Sequence, residues 1–411
     1  MYQIGILIYI TLFRLVAIFH KKAAKMVAGH KNTWKILRDK MDKDSEWLWF
    51  HASSLGEFEQ GRPIIEQIRT DHPEYKIIVT FYSPSGYEVR KDYSGADIIC
   101  YLPFDTLFNS RRFLNLVKPK MAFFIKYEFW PNYLRQLKRR AIPTYLISGI
   151  FRPDQAFFKD YAKFYRKLLE TFTYFFVQDQ RSVDLLQSVG HSNNVSISGD
   201  TRFDRVLEIK DHAKVLDIAL AFSTKRANSS GKILIAGSSW PKDELLFIPY
   251  FNEHPELRLI IAPHEIHEDH LQSIEAQLNR PFKRYTKTTP DEAANCDCLI
   301  IDCFGLLSSM YQYGDIVYIG GGFGTGIHNT LEAAVYGIPV LFGPTYDKFI
   351  EAKALIHCGG GFSFDSKDQL DQLLDRLLSS DEVLQKAGEK AGEMVKKGSG
   401  GTKIILQTIK F

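Results

Sequence analysis

Apolar runs of four to eight residues alternate with stretches of helical spacing through most of the chain. Glu46–Ala52 reads as a strand, a Ser-Ser-Leu-Gly turn follows, and a helix is predicted over about Glu57–Arg69. Lys76–Phe81, Met121–Ile125, Thr144–Ile147, Tyr174–Gln178 and Asn194–Ser198 continue the strand series. Strands interleaved with helices indicate parallel βαβ units. Asp211–Ala221 is predicted helical, and the polar, turn-rich Ser223–Gly231 marks a boundary. The pattern restarts with Lys232–Ala236, Leu257–Ala262, Cys298–Ile301, Ile316–Ile319 and Pro339–Phe342. Both halves are thus expected to be doubly wound α/β sheets of the Rossmann-like kind, facing a cleft. Ligands are expected at the carboxyl ends of the strands. That architecture suits an enzyme that brings two substrates together.

Before these sheets stands the most apolar stretch in the chain, Met1–Phe19, interrupted by Arg14 and followed by Lys21, Lys22 and Lys25. No small-residue cleavage site follows it, so a removed signal peptide is not expected. A short membrane anchor or an interfacial helix fits residues 1–20, and a first helix buried against the domain is the other possibility. The lysines place the body of the protein on the cytoplasmic face of an inner membrane. Removing residues 1–20 is expected to release the protein from membranes and to preserve turnover. Residues 21–222 then form one α/β domain and residues 232–411 a second.

The chain has 411 residues, 45% hydrophobic and 24% charged, which suits two globular domains. Mean hydropathy is −0.17, which excludes a multi-span membrane protein. The net charge of +4 conceals a local excess: residues 1–45 hold nine basic and three acidic residues, and the rest holds 43 and 45. A basic excess confined to one segment argues against a nucleic-acid binder. Five scattered cysteines argue against a disulfide framework, and Cys296 and Cys298 have no Cys/His neighbours at zinc spacing, so no metal is expected.

Candidate chemistry sits where strands end. After the strand ending at Ile319, five glycines fall within seven residues, Gly320–Gly326, and a helix is predicted to begin near Asn329. Glycines allow close approach to an anion and a helix start attracts phosphate; a tight loop with a capped helix gives the same pattern. The segment does not match the Walker pattern. Glu332, one turn into that helix, is placed to accept hydrogen bonds from ribose hydroxyls. Gly237-Ser238-Ser239-Trp240 and Pro263-His264-Glu265 follow neighbouring strands, and three such loops on one face point to a nucleotide site. In the first half, Glu57 follows one strand in the turn His51-Ala-Ser-Ser-Leu-Gly-Glu57, and Glu128 follows another in Lys126-Tyr-Glu128-Phe-Trp130-Pro131-Asn132. The helix dipole favours ionised Glu57, as a general base requires, while lowering its basicity; first-turn capping is the structural alternative. Two carboxylates suit activation of a hydroxyl nucleophile, and an inverting sugar transfer needs one such base and no metal. The stretch Phe151–Phe176 is dense in aromatic and basic residues, most of them expected in the core, with any exposed part facing anionic lipid headgroups.

These motifs, in this order, resemble the family of 3-deoxy-D-manno-octulosonic acid (Kdo) transferases of lipopolysaccharide synthesis. The resemblance spans nearly the whole chain: the N-terminal segment, His51–Glu57, Glu128–Asn132, Gly199-Asp-Thr-Arg-Phe-Asp204, Ala262-Pro263-His264, and Gly320 through His328-Asn329-Thr330-Leu331-Glu332. It implies a GT-B glycosyltransferase with CMP-Kdo as donor, a lipid A precursor as acceptor, and no cofactor. Glu57 falls at the general base and Glu128 at a second acidic position. Pro263, His264, Phe304, Gly305, Leu306, Asn329, Thr330, Leu331 and Glu332 fall where the family holds CMP; Gly237 and Ser238 remain a phosphate loop read from spacing. The chain departs from the family at Lys126, usually Glu; at Thr330, usually Pro; and at His264-Glu265, where Arg-His is usual. Two other readings stand beside it: a cell-envelope transferase using a UDP-sugar and a lipid acceptor, and a non-catalytic sugar-nucleotide-binding membrane protein. The presence of both Glu57 and Glu128 argues against the last.

Overall fold

The computed structural model describes residues 2–159, 163–224 and 231–411. Most of the expected boundary loop (225–230) and three residues of the aromatic stretch (160–162) lie outside the described residues. The chain divides into two compact units, Met1–Arg205 with Ser399–Phe411, and Val206–Gly398.

The first unit is built on seven strands: β1 (Trp47–Ala52), β2 (Lys76–Phe81), β3 (Ile98–Tyr101), β4 (Met121–Ile125), β5 (Thr144–Gly149), β6 (Tyr174–Val177) and β7 (Val195–Ile197). They pair in parallel in the order β3-β2-β1-β4-β5-β6-β7. β1 and β4 are buried at every position because helices cover both faces of the sheet. Alternation along β1 sends Trp49 to one core, with Leu37, Phe124 and Tyr133, and Phe50 to the other, with Ile65, Ile68 and Phe123. Ile405, from the carboxyl end of the chain, completes the second core.

Two helices precede this sheet, α1 (Tyr2–Phe19) and α2 (Lys21–Lys40). Among the described helices, α1 is long and apolar enough to cross a membrane, with 6% of it buried. Its less exposed positions are 2, 3, 6, 10, 13 and 17, one stripe at helical spacing, while Ile4, Leu7, Ile8, Leu12, Leu15, Val16, Ile18 and Phe19 face outward. Helix α1 is therefore mostly apolar on both faces, with Tyr2 and Gln3 at the start of its docked face and Thr11 and Arg14 on its free face. Lys21, Lys22 and Lys25 are exposed at the start of α2.

The second unit repeats the plan with β8 (Ile233–Ser239), β9 (Arg258–Pro263), β10 (Phe282–Arg284), β11 (Cys298–Ile300), β12 (Ile316–Ile319), β13 (Val340–Phe342) and β14 (Gly361–Ser363). Their order is β10-β11-β9-β8-β12-β13-β14, again all parallel. The helix expected over Asp211–Ala221 is instead two helices, Arg202–Asp211 and Asp217–Thr224. Side chains draw the intervening backbone out of helical pairing: Lys214 N–H donates to Ser309 Oγ (3.2 Å) and Leu216 N–H to the Tyr313 hydroxyl (2.8 Å). In the aromatic stretch, Phe151, Phe157, Phe172, Phe175 and Phe176 are core, and Phe164 and Tyr165 are exposed.

Candidate active site

The strand order of the first sheet reverses between β1 and β4, and Glu57 and Glu128 follow these two strands. In an open α/β sheet, the carboxyl end of that switch point is where ligands bind. Glu57 lies in the first turn of α3 (Leu55–Asp71), whose N-cap Ser54 makes no side-chain cap. The Glu57 carboxylate takes that place, accepting the Ser53 N–H at 2.5 Å. The capping and catalytic readings of Glu57 are thus compatible, one carboxylate serving the helix end while lying at the strand end. Burial, and then the charge of Glu128, push the Glu57 pKa up to about 8, against the Ser53 N–H and the positive charge of Lys126. The helix start alone would lower it; desolvation and a second carboxylate outweigh that.

Glu128 is anchored by groups the sequence motifs did not assign. Its Oε2 accepts the Trp130 indole N–H at 2.8 Å and lies 3.3 Å from His51 Nε2. His51 is fully buried, with Nδ1 at 3.1 Å from the Thr80 carbonyl and 2.9 Å from Thr80 Oγ1, which also accepts the Trp49 indole N–H. A carbonyl only accepts and an indole N–H only donates. His51 Nδ1 therefore carries a proton, and its Nε2 lies 2.9 Å from Trp130 Nε1, whose single N–H is shared with Glu128. Lys126, between β4 and Glu128, is held at φ +67°, a left-handed conformation that a lysine adopts only under local constraint.

In the second sheet the switch point lies between β8 and β12, and the loops after β8, β9 and β12 meet there. The imidazole of His264 stacks against both the Trp240 indole (4.6 Å between centroids) and the His328 ring (4.4 Å). Trp240 Nε1–H donates to His328 Nε2 at 3.2 Å, and burial, followed by His264, pushes the His328 pKa down to about 4. Asp243, fully buried, binds the same loops together: it accepts the N–H of Trp240 and of Gly321, each at 2.9 Å, and the Tyr318 hydroxyl at 2.7 Å. A cavity of about 390 Å³ opens beside them, lined by Trp240, Pro241, Lys242, Asp243, Gly321, Phe323, Gly324 and Thr325.

Several expected ligand contacts have other duties. A Cβ on Gly320 would sit 2.2 Å from the Ser238 carbonyl oxygen, and Gly321 has φ +92°. These two glycines permit close packing of loop on loop. The N–H groups of Gly320, Gly321, Gly324 and Gly326 are all spent within the protein. The helix expected near Asn329 begins at Leu331 and is four residues long, too short for a substantial dipole, and Asn329 Oδ1 takes its Leu331 N–H at 3.1 Å. Glu332 accepts from Asn329 Nδ2 at 2.9 Å. Thr330 and Leu331 are fully buried, the Thr330 hydroxyl without a partner, so both face the core. Pro263 ends β9; His264 is exposed, its N–H donating to the Ser239 carbonyl at 2.9 Å. After β11, Phe304 is 75% exposed and Gly305 has φ +88°. Ser238, at φ +53°, is strained where β8 ends. Cys296 and Cys298 are buried thiols, and no group of three potential metal ligands occurs among the described residues.

Residues 25–205 match the family model for 3-deoxy-D-manno-octulosonic-acid transferase (kdotransferase), and these residues contain both carboxylates. Over that segment the chain is similar to the Kdo transferase family. The Kdo transferase of Aquifex aeolicus is 28% identical over 357 residues, 84% of this chain and 90% of that protein. The Kdo transferase of Haemophilus influenzae is 26% identical over 384 residues, 88% and 86% of the two chains. Among solved structures, UDP-GlcNAc 2-epimerase from Neisseria meningitidis aligns with a TM-score of 0.59 at 15% identity, covering 88% of this chain and 99% of that one. Acinetobacter baumannii MurG aligns at 0.55 and 13%, covering 89% and 99%. At these identities the two structures report the fold, which is GT-B. In such a fold the switch points of the two sheets are the places where ligands bind.

Proposed function

We propose that this chain is a Kdo transferase that moves Kdo from CMP-Kdo to a hydroxyl of a lipid A precursor, with inversion and without a metal, in lipopolysaccharide synthesis. The first unit supplies the base and the second the nucleotide site. Glu57 accepts the proton of the acceptor hydroxyl as its oxygen bonds to the anomeric carbon of Kdo, and the bond from that carbon to phosphate breaks with its electron pair leaving on CMP. The observation that carries the reading is the buried Glu57–Glu128 pair, which holds Glu57 near neutral basicity, as general-base catalysis favours. The stacked Trp240, His264 and His328, with His264 exposed among them, offer the donor aromatic ring faces. The outward face of α1, with the lysines behind it, suits association with the cytoplasmic leaflet of an inner membrane, the face where a lipid acceptor is presented.

The test is transfer from freshly generated CMP-Kdo to a lipid A precursor in detergent with EDTA present. Wild type is expected to be active and Glu57→Gln to lose roughly 10²- to 10⁴-fold in turnover, the usual worth of a general base. Transfer only from a UDP-sugar would replace the donor assignment, and unimpaired Glu57→Gln would remove Glu57 from the chemistry.

A further inference from the structure

Helix α1 reaches the loop that carries Glu128 by two independent routes. Along the first, the Tyr9 and Tyr82 hydroxyls are 2.7 Å apart, the Tyr82 ring packs on the Trp130 ring at 4.8 Å, and the Trp130 N–H binds Glu128 at 2.8 Å. Along the second, the Tyr2 hydroxyl donates to Asp105 Oδ2 at 2.6 Å. The same Asp105 carboxylate accepts the N–H groups of Asn132 (3.0 Å) and Tyr133 (3.1 Å), at the start of the helix Pro131–Arg139 that follows Trp130. Gln3 also donates to the Asn132 side chain. A segment that only tethered the protein would need none of these polar contacts. Each is made by a residue of an otherwise apolar helix, and all converge on residues 128–133.

We propose that α1 is a positioning element of the active site, holding the Glu128–Trp130 loop in place through Tyr9 and Tyr82 on one side and Tyr2 and Asp105 on the other. The proposal rests on the assignment of Glu57 and Glu128 to the reaction. It replaces the expectation that residues 1–20 can be removed without loss of turnover: the part of the chain that meets the membrane also sets the geometry of the carboxylates.

The test uses the full chain in detergent with CMP-Kdo and a lipid A precursor, comparing wild type with Tyr9→Phe, Tyr82→Phe, the double variant, Tyr2→Phe and Glu57→Gln. Each tyrosine variant removes one hydroxyl and keeps its ring. Each is expected to lower kcat roughly fivefold, the rate equivalent of one lost hydrogen bond, with KM for CMP-Kdo unchanged. Because Tyr9 and Tyr82 act through one bond, the double variant is expected to match either single variant. Wild-type kcat in all three single tyrosine variants, or a Tyr9/Tyr82 double variant whose losses multiply, would overturn the proposal while Glu57→Gln remained inactive. Full activity of Glu57→Gln would instead remove the assignment of the site, and this proposal with it.

Discussion

At Glu57 two opposing influences act on one proton. The helix start and the Ser53 N–H favour the carboxylate; burial and Glu128 favour the acid and prevail. A base in this state works only when deprotonated, so kcat/KM should climb as pH rises through about 8. Glu128→Gln removes the like charge and should move the acid limb of the pH–rate profile to lower pH. Lys126→Glu should move it to higher pH, because the lysine charge opposes the shift. A profile unmoved by either substitution would separate these residues from the base. The same proton governs stability. With its folded pKa above the unfolded value, Glu57 binds more protons in the folded state between about 4.5 and 8, so its contribution is complete below that window and is lost as pH rises through it. Glu57→Gln should therefore unfold at higher denaturant than wild type at pH 9, by an amount on the order of 2 to 4 kcal/mol, and the gap should close toward pH 5. An inactive yet more stable variant is the signature of a group held at a functional site against its own preference.

At the scale of elements, what the hydrophobic pattern discloses depends on where a strand sits in its sheet. The central strands β1, β4, β8, β9 and β12 are apolar over most of their length, and their ends place Glu57, Glu128, Gly237, His264 and Gly320 without ambiguity. β3, β10 and β14 are three- or four-residue strands at sheet edges and were not expected, whereas β7, equally short and also at an edge, was expected from Asn194–Ser198. Polar groups that join elements distant in sequence leave no local trace either. Thr80 orients His51 from the next strand, and Asp243 connects β12, the glycine loop and the helix Pro241–Glu253, so neither role follows from spacing. The glycine loop was visible as a motif, but its purpose was not: its glycines admit neighbouring backbone and its N–H groups are mostly used internally. Asp243 is consequently the residue on which the packing of these loops depends. Asp243→Ala leaves both N–H groups and the Tyr318 hydroxyl without their acceptor, and it should cost about 3 kcal/mol in unfolding by denaturant. CMP-Kdo binding should weaken in parallel, measured by calorimetry on the folded variant. Loss of stability without loss of binding would confine Asp243 to the fold.

The chain as a whole enters the first unit, leaves it after Arg205, builds the second, and returns at Ser399. Both crossings lie beside one carboxylate. Asp204 accepts the Gly400 N–H at 2.5 Å and the Thr402 N–H and hydroxyl, each at 2.7 Å. It thereby caps the helix Gly401–Thr408 at the point where the chain departs. Close packing supports this staple: a Cβ on Gly401 would collide with the Ser198 carbonyl, and Ile405 fills the core beneath α3. Asp200 of the Gly199–Asp204 motif acts alike, accepting from Gln60 at 3.0 Å, and Arg205, which follows the motif, pairs with Glu66 at 3.0 Å. This motif, one of those that carry the resemblance, thus fastens α3, and with it Glu57, to the final helix, although no chemistry was assigned to it from sequence. Asp204→Ala should leave three donors at that helix start without their acceptor and destabilise the first unit by about 2 to 4 kcal/mol. Amide exchange should accelerate over residues 400–408 before any other part of the first unit, and turnover should fall as α3 loosens. Uniform acceleration throughout the chain would mean that Asp204 serves global stability, whereas unchanged exchange at 400–408 would show that Ile405 alone holds the returning segment.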